Sequence, residues 1–318
     1  MSKHKNQHFV PKCYLKAWSD PQTPKLQTPY VWVFDKDGKS SKNKAPEKIF
    51  HETDMYTIHR EDGSRDLILE KGLSQLESEF TKIRTSKFNY NKDINQTEHF
   101  LLCAFTAAMH ARTPSSREHH KNQWKRPLEM MEEMQEWIST ATDEQIRRTA
   151  MIPLSSSNPE ERLTYKQVKE LHDNTLQTIL LPLIRTVTPL LYKMDLAVFV
   201  TNDEIGFITS DNPCIWYDPE AYKRPPMYRT PGLAYKTIEI TMPLSPSHCL
   251  YLNRQGMTGY IDATSQELDE LNSLIRWSAK DSFVVRHNVK KDVWFEKGIE
   301  PEDSWEKQQS QKVKVMKS

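Results

Sequence analysis

Hydrophobic residues in this chain change period along its length, and the changes mark out its elements. From Asp66 onward Leu69, Leu73, Leu76, Phe80 and Ile83 recur in alternating steps of four and three. That spacing places them on one face of an amphipathic helix. A second helix is predicted from Asn95, with Glu98 three residues on as its capping partner and Leu101, Leu102, Phe105, Ala108 and Met109 on the buried side. Arg112-Thr113-Pro114 ends it. Ser115 or Ser116 then caps a long polar helix, basic at first (Arg117, Lys121, Lys125, Arg126) and acidic later (Glu129, Glu132, Glu133, Glu136), with a kink at Pro127. Ser155 to Pro159 reads as a loop. Thr164 with Gln167 opens a further helix towards Leu181, which Pro182 and Pro189 stop from continuing.

On either side of this helical stretch the pattern is that of strands. Tyr30 to Phe34 is rich in aromatic and β-branched residues and runs into the turn Asp35-Lys36-Asp37-Gly38, which predicts a hairpin. Ile49 to Ile58 holds a further strand. After the helical stretch, Asp195 to Thr201 and Phe207 to Thr209 read as a hairpin, followed by strands at Ile238 to Thr241, Cys249 to Leu252 and Phe283 to Arg286. Between the last two lies a helix capped by Thr264 and Glu267 and carrying Leu268, Leu271, Leu274 and Ile275. The expected fold class is therefore α+β: a central helical region, about 65–193, flanked by N-terminal and C-terminal strands that join in one mixed or antiparallel sheet. Residues 1–303 form one large unit. The segment 304–318 reads as a basic tail with Lys307, Lys312, Lys314 and Lys317.

Composition narrows the function classes. The 318 residues are 37% hydrophobic and 27% charged, enough to build a core beneath a polar surface. Only 8 glycines stand against 19 prolines, and neither GxGxxG nor GxxxxGK[ST] occurs, so a glycine-rich phosphate loop is not expected. A net charge of +1 gives no bulk attraction to nucleic acid; any such binding has to come from local clusters. Cys13, Cys103, Cys214 and Cys249 are too dispersed for a zinc pattern and read as reduced, mostly core thiols. The first residues lack an apolar signal core, and no run approaches the roughly 18 apolar residues of a membrane span. A cytoplasmic protein with no membrane contact, no metal and no cofactor is expected.

Three segments could carry chemistry. In the string Asn6 to Trp18, His8 can act as acid or base with Lys12 adding charge beside it; equally, Phe9, Tyr14, Leu15 and Trp18 can anchor the terminus while His8 fills a polar gap. In His110 to His120, Arg112 and His119 have six residues between them. This resembles the short Arg-to-His spacing of the HEPN class of metal-independent ribonucleases. The likeness implies an Arg on the scissile phosphate and a His moving a proton at the ribose 2′-hydroxyl. With 11 histidines such a spacing arises readily by chance, and Arg112 can simply cap a helix while His119 and His120 stay solvated. In Thr209-Ser210-Asp211-Asn212-Pro213, Asp211 at a strand end can orient a His or hold a metal with Asp195, Glu70, Glu77 or Glu79, or it can close an Asx-turn. Asn212 is held extended by Pro213.

Four separated blocks together are similar to the prokaryotic domain-of-unknown-function family 4238. They are Gln7-His8-Phe9-Val10-Pro11 with Tyr14-Leu15 and Trp18; Arg112-Thr113-Pro114 with Arg117; Ile208 to Pro213; and Pro243-Leu244-Ser245-Pro246. Trp18 stands where Phe is more usual, and either is an apolar anchor. The resemblance, from residue 6 to about 290, implies a shared fold and a clustering of His8, Arg112, Arg117 and Asp211, and no established reaction. Such a cluster would suit an anionic ligand. The first expectation is a metal-independent RNA phosphodiesterase, a toxin or antiphage effector. Here Arg112, Arg117, Lys12 and Asn212 bind the substrate, His8 or His119 is acid and base, and Asp211 orients the imidazole. The alternatives are a non-enzymatic binding or regulatory subunit, in which these residues form a polar network, and a metal-dependent nuclease. RNA or another phosphate-bearing ligand, a second copy and a protein partner are the expected partners. A solvent-open concavity uniting the four residues would mark an anion site, and sealing beneath packed side chains would mark a network.

Overall fold

A computed structural model describes residues 6–24, 26–60, 62–150 and 162–296 of the chain. The loop read at Ser155 to Pro159 and the basic tail from 304 lie outside these. The N-terminal part comprises β1 (Asn6–His8), the short α1 (Lys12–Leu15), the hairpin β2 (Val31–Asp35) and β3 (Ser41–Lys44), β4 (His51–Thr53), and the small ladder β5 (Ile58–His59) with β6 (Arg65–Asp66). Helices follow: α2 (Ile68–Ser86), α3 (Gln96–Ala111), α4 (Pro114–Thr140), α5 (Asp143–Ala150), α6 (Tyr165–Asp173) and α7 (Thr175–Tyr192). The C-terminal part holds β7 (Asp195–Val200), β8 (Thr209–Ser210), β9 (Ile215–Tyr217), β10 (Glu239–Ser245), β11 (His248–Asn253), β12 (Gly259–Asp262), α8 (Ser265–Ser278) and β13 (Ser282–Val285). The fold is α+β, with central helices and flanking strands.

The helices follow the apolar periods. In α2 the side chains of Leu69, Leu73, Phe80 and Ile83 are buried, and in α3 Leu102, Phe105, Ala108 and Met109 are. Capping boxes form at Asn95 with Glu98, Thr164 with Gln167 and Thr264 with Glu267. Two boundaries differ from expectation. Thr113, not Ser115 or Ser116, caps α4, its hydroxyl taking the Ser116 N–H at 3.2 Å while Pro114 fills the first helical position, where its missing N–H costs nothing. The helix from Thr164 stops at Asp173, and α7 runs through both Pro182 and Pro189. Packing along α3, with Leu176, Leu180 and Leu191 buried, outweighs the two lost backbone bonds.

The strands divide among several sheets instead of joining in one. One has the order β12-β7-β11-β10-β9, antiparallel except for the parallel β12–β7 pair; the other is the antiparallel β3-β2-β13-β8. β1 pairs with β4 alone. The expected hairpin of Asp195–Thr201 with Phe207–Thr209 does not form, because the backbone of Gly206 and of the second arm is claimed elsewhere. Asn272 of α8 accepts the Ile208 N–H and donates to the Gly206 carbonyl, Trp18 donates to the Phe207 carbonyl, and the Phe207 N–H goes to Pro246. Gly206, at φ +69°, sits so close to Pro246 that a Cβ would lie 2.1 Å from its carbonyl oxygen. β8 is thereby delivered to β13 in the second sheet.

The N-terminal string ties these layers together. Tyr14, Leu15 and Trp18 are fully buried; the Tyr14 hydroxyl donates to the Pro243 carbonyl at 2.6 Å and lies 2.9 Å from the Thr209 hydroxyl. Arg84 of α2 donates to the carbonyls of Cys13 and Tyr14 at 3.0 and 3.1 Å. One core cluster runs from Phe9 through α2, α3 and α7 to β10 and β11. All four cysteines are free thiols, three of them buried.

Candidate ligand cleft and the buried polar network

The N-terminal string and the start of α4 are neighbours, and their polar residues are largely engaged with each other. Arg112, at the C-terminus of α3, is 1% exposed; its guanidinium donates to the Glu77 carboxylate of α2 at 2.7 Å and to the Met109 sulfur, and it lies over the Phe105 ring. The Tyr56 hydroxyl is 3.3 Å from the His8 carbonyl oxygen and 3.5 Å from that of Arg112. Arg117 pairs with Glu52 of β4, which lies opposite Gln7 on β1. His8 stands edge-on to His51, with ring centroids 5.3 Å apart. Burial, aided by His51, Lys12 and Arg112, lowers its pKa to about 4, so the imidazole is neutral at pH 7. Lys12 is on the surface beside it. Thus His8, Arg112 and Arg117 share one region, and its central cation is sealed.

Asp211 is not part of that region. Its carboxylate, 5% exposed, accepts three backbone N–H groups across the turn from α8 into β13: Lys280 at 2.7 Å, Asp281 at 2.7 Å and Ser282 at 2.9 Å. Burial raises its pKa against the opposing pull of those N–H groups. Asn212 donates to the Ser278 carbonyl at 3.1 Å. The glutamates and aspartate weighed as metal ligands are separated, with Glu77 on Arg112 and Asp195 accepting the Gly256 N–H. Among the described residues no three His, Cys, Asp or Glu side chains are grouped to hold a metal ion. No helix of the described residues is long and apolar enough to cross a membrane.

His119 has a different setting. It lines a cleft of about 950 Å³ between the start of α4, the side of α7, β9 and the end of α8. A cavity of this size is in the range that takes a small organic ligand or cofactor. Apolar groups such as Ala107, Leu183, Val187 and Ile215 form much of its wall. Three histidines converge there. His110 stacks on Trp216 with centroids 4.2 Å apart and planes 12° from parallel, and its Nδ1 is buried without a hydrogen-bond partner. Burial, reinforced by His120 and His119, lowers its pKa to about 4. The His119 and His120 rings are 5.3 Å apart, and Gln123 reaches both, at 3.0 and 3.3 Å. Trp277, 68% exposed, stands at the mouth.

The Asp211 turn supports one part of the cleft wall. Asn212 and Ser278 line it, and Asp211 pins the turn just beyond Ser278. Lys36, also in the lining, donates to the Ala279 carbonyl at 2.5 Å, and Lys280 pairs with Glu118 of α4. Arg112 and His119 therefore face different surroundings despite their sequence spacing: one is locked on Glu77, the other is open to a cavity. His110, Trp216 and Trp277 were not singled out from the sequence. Trp277 did leave a signal, since it falls off the buried face marked by Leu268, Leu271 and Ile275.

Two histidines held neutral make the fold sensitive to acid. Ordinary imidazole titrates near 6.5, whereas His8 and His110 titrate near 4 in the fold. Between these values the unfolded chain binds protons that the native chain does not. Their stabilising effect is thus complete above pH 6.5 and lost as pH falls towards 4. Urea unfolding across this range should show a falling midpoint, with a shallower fall in His8→Gln and His110→Gln; a flat profile would contradict these neutral settings.

The family described as "Protein of unknown function (DUF4238)" matches residues 6–290. No curated protein and no solved structure matches the chain. Since the family match spans most of the 318 residues, from β1 to just beyond β13, this chain belongs to the DUF4238 family.

Proposed function

We propose that this chain binds a phosphate-bearing, ring-containing ligand, RNA or a nucleotide, in the cleft and cleaves its phosphodiester without a metal ion. The observation that carries the reading is the paired His119 and His120 on the wall of a cavity that also offers Trp216 and Trp277 as stacking surfaces. Bases stack on aromatic faces irrespective of sequence, which suits a single strand. One neutral imidazole takes the proton of the ribose 2′-hydroxyl as that oxygen attacks phosphorus. The other, protonated, gives its proton to the departing 5′-oxygen. The start of α4, with the Ser115 and Ser116 hydroxyls, and Lys36 provide the positive end of a helix dipole, donors and charge for the phosphate. In this role the protein would act in the cytoplasm as a toxin or antiphage effector, with a second copy or a protein partner controlling it.

A second reading, binding or regulation without chemistry, is favoured by the apolar share of the lining and by the engagement of Arg112 and Asp211 in structural bonds. Incubation of purified protein with end-labelled RNA and DNA, with and without EDTA, separates the two. The nuclease reading expects EDTA-resistant cleavage of RNA alone, falling at least about 100-fold in His119→Ala and in His120→Ala. Saturable binding without cleavage would favour the second reading. Absence of both would remove the cleft as a nucleic-acid site.

A further inference from the structure

The block Pro243-Leu244-Ser245-Pro246 has no part in the cleft, yet it ends in a chain of three side chains with the geometry of an activated nucleophile. At the tip of the β10–β11 hairpin the Ser245 hydroxyl lies 3.2 Å from His248 Nδ1, and His248 Nε2 lies 2.8 Å from the Oδ1 of Asn91, 157 residues away in sequence. The amide oxygen of Asn91 accepts only, so it fixes the proton on Nε2. Nδ1 is left with a lone pair for the Ser245 O–H. The serine oxygen meanwhile accepts the Ser247 N–H at 3.2 Å.

The arrangement is rigid. The turn is held from one side by Phe207 N–H on the Pro246 carbonyl at 2.8 Å, Thr201 N–H on the Ser247 carbonyl at 3.0 Å, and the close approach of Gly206. From the other side it is held by Asn91, which keeps a left-handed backbone at φ +50°. Asparagine adopts that region more readily than other non-glycine residues, and here it caps the turn Phe88–Tyr90. Ser245 is 8% and His248 7% exposed, so each keeps only a small part of its surface in contact with water. A nucleophile, a base within reach of it and a third group orienting the base are the components of covalent acyl transfer.

We propose that Ser245 is a reactive serine, with His248 as its general base and Asn91 as the residue positioning that base, able to accept the acyl group of small, unhindered carboxylic esters. The Ser245 oxygen bonds to the carbonyl carbon as its proton passes to His248 Nδ1. The ester C–O bond breaks, and the departing alkoxide takes that proton to leave as the alcohol. Water, deprotonated by the same nitrogen, then releases the carboxylic acid and restores the O–H. This activity is independent of the cleft, since none of the three residues lines it.

Treatment of the full chain with a small alkyl fluorophosphonate tests the proposal, because the serine oxygen displaces fluoride and the adduct is located by peptide mass mapping. The expected result is one equivalent of probe on Ser245, with the rate at least about 100-fold lower in His248→Gln. Asn91→Ala should slow labelling and move its pH inflection, and Asn91→Asp should restore the rate. Failure of the folded wild-type chain to label at Ser245 would overturn the proposal without recourse to any variant. Labelling equally fast in His248→Gln would overturn it too. Either outcome would leave the three side chains as a lock on the hairpin.

Discussion

Replacing Asp211 by alanine is expected to cost about 3–5 kcal/mol of unfolding free energy, because the N–H groups of Lys280, Asp281 and Ser282 lose their acceptor together. Each buried donor left unpaired costs about 1–3 kcal/mol, and water entering the opened turn recovers part of the sum. The charge itself contributes less than these bonds suggest, since burial has already raised the carboxyl pKa. Asp211→Asn keeps one oxygen in place and should lose roughly half as much. Chemical denaturation of the two variants measures both values. Equal, small losses below about 1 kcal/mol would show that the turn closes without this carboxylate. The damage should also reach the cleft, because Ser278 and Asn212 line it on the near side of the same turn.

The Arg112→Ala variant is expected to lose about 3–4 kcal/mol. The side chain is almost fully enclosed beside Phe105 and Met109, so its removal opens a void and leaves the Glu77 carboxylate unpaired. Glu77 keeps 24% of its side-chain surface in water and can rehydrate, which holds the loss near the lower end of the range for a broken buried pair. Arg112→Met combined with Glu77→Gln refills the space and removes the lone charge, so the double variant should recover much of the loss. A double-mutant cycle in denaturant reads this directly. Additive losses would mean that the ion pair contributes nothing beyond its separate packing.

These two residues show how far the sequence carried the site and where it stopped. Helix faces and capping boxes were legible because they depend on neighbours within four residues: Leu69 to Ile83, Asn95 with Glu98 and Thr264 with Glu267 all behave as their spacing predicts. The division of the strands was not legible. It depends on Asn272 and Trp18 capturing the backbone of residues 206 to 208 from distant parts of the chain. Prolines 182 and 189 misled for a similar reason, since burial against α3 outweighs a local penalty. The family resemblance holds, since the family model matches residues 6–290, but the implied clustering does not, because Asp211 lies apart from His8, Arg112 and Arg117. Spacing alone could not tell that Arg112 turns towards Glu77 while His119 turns towards a cavity, or that Asp211 reaches the backbone beyond α8. Arg112 and Asp211 serve the packing, and the accessible side chains of the cleft are those of His119, His120 and Trp277, with His110 buried against Trp216 behind them.

The cleft is proposed as the place where this protein meets its ligand. Equilibrium titration of short single-stranded RNA into wild type, Trp277→Ala and His119→Ala, with folding checked by thermal melting, decides whether it does. Loss of one stacking surface is worth about 1–3 kcal/mol, so the expected result is saturable binding that weakens about 5- to 150-fold in Trp277→Ala while the melting curve stays unchanged. Binding that is unaffected by either substitution, or no saturable binding by the wild-type chain, would contradict it.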